Sequence, residues 1–362
     1  MKRVPVSGLT PGMVTAEDVF SYDQQLIVPA GVILTSAIIN RLEFYSIFSL
    51  KVDDSPAVNE ENTIGRLQEE SVSLKASIRN SAEFKRFKHD YEDQVGRFHV
   101  TLTEMLEHHH PVNTTGILMN TLKLLYQDGR KLNVFDMLLN MREYDDSTYT
   151  HSINVSLISY VLAGWLGFSE ADQLMAASCG LFHDIGKLAI PPEIIQKPGK
   201  LTPEEFKIIQ THPLKGYEIL NEYSLNKHIL DAALLHHEKC DGSGYPYGLM
   251  GADIDRFAKI VTIADVFDAM TSERVYRKAL CPFTVIETFE QEGLQKYETQ
   301  YILTFLENIS NTYLNHKVKL SNGMEGKVIF INKMNLARPT VNCDSEFLDL
   351  SSKPDIHIES II

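Results

Sequence analysis

The chain is 362 residues long, 44% hydrophobic and 23% charged, a globular composition that can fill a sizeable core and sets extensive disorder aside. Its 48 acidic and 34 basic residues leave a formal charge of −14, which excludes non-specific binding to polymeric nucleic acid or to an anionic membrane, because both rest on neutralising phosphate charge. At roughly 150 residues per domain, the length predicts two or three domains.

The first thirteen residues hold Pro5, Gly8, Pro11 and Gly12 and no apolar h-region, so no targeting segment is expected there. Residues 1–55 read as a small β-rich module. Leu26, Ile27 and Val28 run into Pro29, Gly31 supplies a turn, and Val32, Ile33 and Leu34 follow. A short helix is predicted over Ser36 to Tyr45 and a closing strand over Phe48 to Val52. The acidic stretch from Asp53 to Glu61, interrupted by Pro56, reads as a linker.

Residues 62–133 change to helical spacing. Phe84, Phe87, Tyr91, Val95, Phe98, Leu102 and Met105 recur mostly in steps of three and four, one apolar stripe along a long helix. Such a stripe serves either a homodimer or packing onto the chain's own next domain, and the spacing leaves both open. Ser147 to Ser169 lacks Lys, Arg, Asp and Glu. Its His151, Ser152, Asn154, Ser156 and Ser159 suit a buried helix rather than a lipid-exposed one, so no membrane span is expected. Residues 136–315 are strongly helical, and Thr202, Pro203 and Glu205 carry the cap, first-turn proline and capping-box acid of one helix. Residues 316–362 revert to short strands, with Gly323 and Gly326 expected in turns. Cys179, Cys240, Cys281 and Cys343 form no C-x-x-C pair, a usage that fits a reducing cytoplasm. The predicted fold class is mainly α, with small β modules at the N- and C-termini.

The chemistry lies between His151 and Asp265. His183 and Asp184 are adjacent in H-D-I-G-K, His236 and His237 are adjacent in H-H-E-K-C-D-G-S-G-Y-P, and His212 falls between them. Asp265 sits among Ile260, Val261, Ile263, Ala264 and Val266, where an unpaired carboxylate would be costly. Neighbours on a helix point about 100° apart, so an adjacent pair serves two ions better than one. Five imidazoles and two carboxylates match the needs of two borderline divalent metals, and an aspartate can bridge them.

These motifs together resemble the HD-GYP family, a branch of the HD superfamily of metal-dependent phosphohydrolases. His151 opens H-S-I-N-V, His183 and Asp184 are the HD pair, and Gly244, Tyr245 and Pro246 are the GYP signature. The resemblance implies an all-helical HD-type catalytic core over residues 136–315. It also implies hydrolysis of cyclic di-GMP to a linear dinucleotide or GMP by a hydroxide bridging two metals, iron or manganese. Carried over by position, the metal ligands are His151, His183, Asp184, His212, His236, His237 and Asp265, with Asp184 bridging. Some family members hold a third metal through a glutamate one turn before the first histidine; Ser147 stands here, so two ions are expected.

Lys187 would bind the scissile phosphate and stabilise its charge during attack. T-S-E-R-V-Y-R-K offers Arg274 and Arg277 for phosphate or guanine, since guanidinium binds bidentately. The Gly-rich turn would set Tyr245 at the mouth of the site or dock a signalling protein. Glu238 and Asp241 are expected to orient the histidines. Two other functions compete with this one: a silent cyclic di-GMP receptor, and a phosphodiesterase preferring hybrid cyclic GMP-AMP.

Overall fold

The computed structural model describes residues 2–362 apart from 7–8, 11, 21–25, 29, 35–37, 40–41, 43–46, 48, 54–77, 109–112, 142–147, 198, 274–277 and 344–345. The chain divides into two compact units, 1–72 and 73–362. The predicted helix over Ser36 to Tyr45 and the acidic linker fall largely outside the described residues.

In the first unit, β1 (Lys2–Pro5), β5 (Ser49–Asp53) and β2 (Val14–Thr15) make an antiparallel sheet in that order, and β3 (Val19–Phe20) pairs with β4 (Leu26–Val28). β5 alternates Leu50 and Val52 inward with Lys51 outward, the period of two that a half-buried strand requires. Val4, Val6, Leu9, Val19, Val28, Leu34 and Leu42 complete a small separate core. Gly31 takes the positive φ its turn demands.

The second unit opens with α1 (Ala82–His108), whose Phe84, Phe87, Tyr91, Phe98, Leu102 and Met105 are buried in the unit's own core. Phe98 meets Tyr149 and Phe182 edge-on. Of the two uses open to this stripe, the fold spends it on intramolecular packing. Helix α2 (Thr114–Lys123), a short antiparallel hairpin of β6 (Tyr126–Gln127) and β7 (Arg130–Lys131), and α3 (Val134–Met141) lead to α4 (Thr148–Trp165), the segment without charged residues. α4 is buried almost all round, as an apolar helix in a domain centre should be, and among the described residues no helix is long and apolar enough to cross a membrane. It packs along α5 (Glu170–Phe182), where Gly180 lets the backbones approach: a Cβ there would lie 2.8 Å from the Val155 carbonyl.

A 3₁₀ turn (Ile185–Ala189) follows, then α6 (Pro192–Ile195), α7 (Pro203–Ile209), α8 (His212–Asn221), α9 (Lys227–Leu235) and α10 (Arg256–Thr271). α7 begins with the predicted capping box, Thr202 and Glu205 each accepting the other's backbone N–H. Helices α11 (Pro282–Lys296) and α12 (Thr299–Thr312) close the bundle.

Strands β8 (Lys317–Leu320), β9 (Glu325–Asn332), β10 (Asn335–Cys343), β11 (Glu346–Asp349) and β12 (Ile358–Ile361) form an antiparallel sheet in the order β11-β10-β9-β8-β12. Glu290 of α11 accepts from the Leu336 and Ala337 amides, and Arg338 of β10 pairs with Glu287 at 2.8 Å, so the sheet is fastened to α11. Gly323 lies in a turn with positive φ, as expected. Gly326, also expected in a turn, is inside β9 instead. The reason is close packing, for a Cβ would come within 2.6 Å of Asn342 O and Val341 Cγ1.

Candidate metal centre

All seven predicted ligand side chains come together at the centre of the second unit. Ligand atoms of Asp184, His212, His236 and His237 lie within 4.8 Å of one another, and those of His151, His183 and Asp265 form a second such group. Asp184 faces both. Its Oδ1 is 3.3 Å from His212 Nε2 and 3.6 Å from His236 Nε2, while its Oδ2 is 3.4 Å from His183 Nε2 and 3.6 Å from His151 Nε2.

Helix ends supply this convergence. His183 caps the C-terminus of α5, His236 caps that of α9, and His212 is the first residue of α8. Carbonyls in the last turn of a helix lack an intrahelical donor and are free to receive a ring N–H. His183 Nδ1 accordingly donates to Gly180 O at 2.7 Å, His212 Nδ1 to Ile209 O at 2.7 Å, and His236 Nδ1 to Ala232 and Ala233 O at 3.0 Å. With Nδ1 protonated, each ring turns an Nε2 lone pair toward Asp184.

The glycine of H-D-I-G-K holds this arrangement shut. Gly186 lies directly beneath the first turn of α8, and a Cβ there would sit 1.9 Å from His212 O and 2.5 Å from Gly216 N. The motif therefore needs glycine for contact with α8 rather than for a special φ.

The donor set fits divalent metal ions. His212 Nε2 and His236 Nε2 approach to 3.2 Å, two acceptors facing one another beside a carboxylate oxygen. His183 Nε2 and Asp184 Oδ1 are buried and make no hydrogen bond. Such groups are costly unless a cation satisfies them. Protonation states agree with that demand. Burial opposes ionisation of Asp184, but Lys187, His183 and His212 hold it well below the usual carboxylate range; burial likewise opposes Asp265, which His151 and His237 hold well below that range. Burial and the neighbouring rings push His236 down to about 4 and His237 well below its ordinary value. Ionised carboxylates and neutral imidazoles are the ligand forms metals bind. His151 differs: burial lowers it, yet bonds to Asp265 and Asp268 on its two nitrogens raise it to about 9.

The remaining predicted residues divide. The Lys187 ammonium is bonded to Asp184 Oδ2 at the edge of the site. Tyr245 stacks on His237 with centroids 4.7 Å apart, and burial raises its phenol. Glu238, expected to orient histidines, instead accepts the backbone N–H groups of Tyr247, Gly248 and Leu249, and Asp241 caps Ser243. Both acids therefore shape the turn. Gly244 is required there, because a Cβ would lie 2.4 Å from Glu238 Cα and Lys239 N. Arg274, Arg277 and Ser147 lie outside the described residues. Asp268, whose Oδ2 is 2.8 Å from His151 Nδ1, was not foreseen. A second acid in the apolar run one turn after Asp265 was the available signal.

Residues 117–300 match the family model described as HD domain. The cyclic di-GMP phosphodiesterase PA4108 of Pseudomonas aeruginosa is 33% identical over 213 residues, 59% of this chain and 51% of that protein. The 3'3'-cGAMP-specific phosphodiesterase 3 of Vibrio cholerae is 41% identical over 136 residues, 37% of this chain and 30% of that protein. The chain thus spans about half the length or less of these curated relatives. Among solved structures, Bd1817, a HDG"Y"P protein from Bdellovibrio bacteriovorus, aligns over 85% of this chain and 99% of its own. The TM-score is 0.53 at 17% identity, a likeness of fold.

Proposed function

This chain belongs to the HD domain family, and we propose that it is a metal-dependent phosphodiesterase hydrolysing cyclic di-GMP to the linear dinucleotide, to GMP, or to both. The observation that carries the reading is Asp184, whose two oxygens face two separate sets of imidazoles. Seven ligands grouped in this way support a pair of divalent ions, with iron or manganese suited to the mixed donors. When bound, two such ions supply an acidified water and neutralise charge on the phosphodiester.

The chain's own side chains do the rest. His183, His212 and His236 present fixed Nε2 atoms because their Nδ1 protons are held by backbone carbonyls. Lys187 is assigned to the scissile phosphate: its ammonium exchanges the Asp184 carboxylate for a phosphate oxygen, compensating charge that builds during attack. Tyr245, positioned over His237, offers a ring face to a guanine. Arg274 and Arg277 are assigned to phosphate or base edge on the T-S-E-R-V-Y-R resemblance alone. The exposed Tyr247 and Met250 beside the turn suit a protein partner there.

A second substrate, hybrid cyclic GMP-AMP, is favoured by the likeness to the Vibrio cholerae enzyme. Both ligands share a backbone and differ at one base edge. The test is anaerobic turnover of each dinucleotide by iron- and manganese-loaded protein beside Asp184→Ala, with products separated by chromatography. Linear dinucleotide or GMP from wild type alone is expected, and the faster substrate identifies the preference. Binding of both ligands without cleavage in every metal form would replace the enzyme with a receptor.

A further inference from the structure

Three of the histidines at the centre are oriented by backbone carbonyls at helix ends, and His151 is not. It lies inside α4, where the carbonyls are committed to the helix itself, so its Nδ1 needs a side-chain acceptor. That acceptor is Asp268 Oδ2 at 2.8 Å. The other oxygen, Asp268 Oδ1, accepts from Asn154 Nδ2 at 3.0 Å, and Asn154 Oδ1 in turn accepts from the hydroxyl of Tyr91. Tyr91, Asn154, Asp268 and His151 are all buried, none more than 5% exposed.

Each member of the series constrains the next. The amide of Asn154 has one workable orientation, because a flip would set its carbonyl against the Asp268 carboxylate. The carboxylate so placed keeps the proton on His151 Nδ1 and turns Nε2 toward Asp184 and Asp265. Tyr91 stands on α1, outside residues 117–300 that match the HD domain.

We infer that Tyr91 is a positioning residue for the metal centre, acting on His151 through Asn154 and Asp268, so that the seat of α1 sets how tightly the His151 group holds its ion. This rests on the metal-centre reading above and adds to it a lever located outside the matched domain.

The test is manganese titration of the metal-free full chain by calorimetry, for wild type, Tyr91→Phe, Asp268→Asn and Phe87→Leu. Tyr91→Phe keeps the ring and removes only the hydroxyl. Phe87→Leu loosens the same stripe of α1 beside Tyr91, whose ring its own adjoins at 5.7 Å between centroids, while removing none of the hydrogen bonds of the series. We expect Tyr91→Phe to weaken one of two ions about tenfold and Asp268→Asn to weaken the same ion by about 10- to 100-fold, the range for groups that orient a ligand. At saturating manganese, kcat should fall with KM unchanged. Phe87→Leu should lower the melting temperature and leave both affinities alone. Two wild-type ions with unaltered affinities in Tyr91→Phe would overturn the inference and leave the metal centre standing. Equal weakening in Phe87→Leu would overturn it too, by showing general loosening. A wild-type chain that binds no ion would overturn it together with the reading on which it rests.

Discussion

Gly186→Ala is the smallest change that should dismantle the centre. Its Cβ would stand 1.9 Å from His212 O and 2.9 Å from His212 C, both backbone atoms, so no side chain can swing aside to relieve the contact. Ordinary van der Waals separation begins at 3.4 Å, which requires the 3₁₀ turn and α8 to part by about 1.5 Å. Overpacking of this kind costs about 1–3 kcal/mol, and a clash against two rigid backbones belongs at the upper end. The same displacement carries His212, now 3.3 Å from Asp184 Oδ1, far beyond the roughly 0.2 Å that metal–ligand distances tolerate. Loss of metal affinity by at least about 10- to 100-fold should follow. Urea denaturation and manganese titration read the two effects separately. Gly164→Ala in α4 is the matched control, because the atoms nearest a Cβ there belong to the Gln173 side chain of α5, at 3.3 Å, rather than to backbone. It should be neutral or stabilise by about 0.5–1 kcal/mol. A Gly186→Ala protein with wild-type stability and metal affinity would refute the claim that α8 is clamped on the H-D-I-G-K turn.

Three further outcomes are expected. Asp184→Asn keeps the shape but removes the charge shared by both imidazole groups, and should bind fewer ions than wild type and lose turnover by at least about a hundredfold; two tightly held ions by elemental analysis would refute the bridging role. Glu238→Gln replaces the acceptor of three backbone N–H groups, at about 1–3 kcal/mol for charge-assisted bonds, and should raise KM more than it lowers metal affinity; an unchanged KM would show the turn holds its shape without that charge. Burial opposes charge on His316, but Asp136 at 2.9 Å raises its pKa above 6.5. A raised histidine stabilises most below its unfolded value and loses that contribution as pH climbs through the folded one. The stability gap between wild type and Asp136→Asn should therefore be fullest below the ordinary histidine value and shrink as pH rises through the raised one, and a gap independent of pH would show that the pair does not stabilise the fold.

Legibility in the sequence followed the range over which each signal acts. The seven ligand candidates stood out because histidines and acids in apolar helices are costly without a partner, and that cost is visible in one dimension. The uncharged segment around His151 was likewise readable as a buried helix, as α4 proved to be. Asp268 obeys the same argument as Asp265, an acid in an otherwise apolar helix, but its partner His151 lies more than a hundred residues away in sequence. Tyr91 and Asn154 carried no such mark. Tyr91 sat in an apolar stripe where any aromatic would do, and its hydroxyl gained meaning only when folding laid α1 across α4. Glu238, adjacent to a ligand in sequence, turned away from it because the GYP turn brought three N–H groups to its carboxylate. Glycine was ambiguous for the same reason. Gly323 marks a turn, whereas Gly326 and Gly186 mark places where another backbone passes close, and a sequence does not distinguish the two.

If Asp184 joins two imidazole groups into one dinuclear centre that cleaves a cyclic dinucleotide, as proposed, metal content and turnover must fall together when its charge is removed. The most direct measurement is metal content and cyclic di-GMP hydrolysis on the same anaerobically loaded sample, wild type beside Asp184→Asn. Two ions per wild-type chain with linear dinucleotide or GMP appearing, and both lost in the variant, is the predicted result. Hydrolysis by wild type carrying one ion or none, or undiminished in the variant, would contradict it.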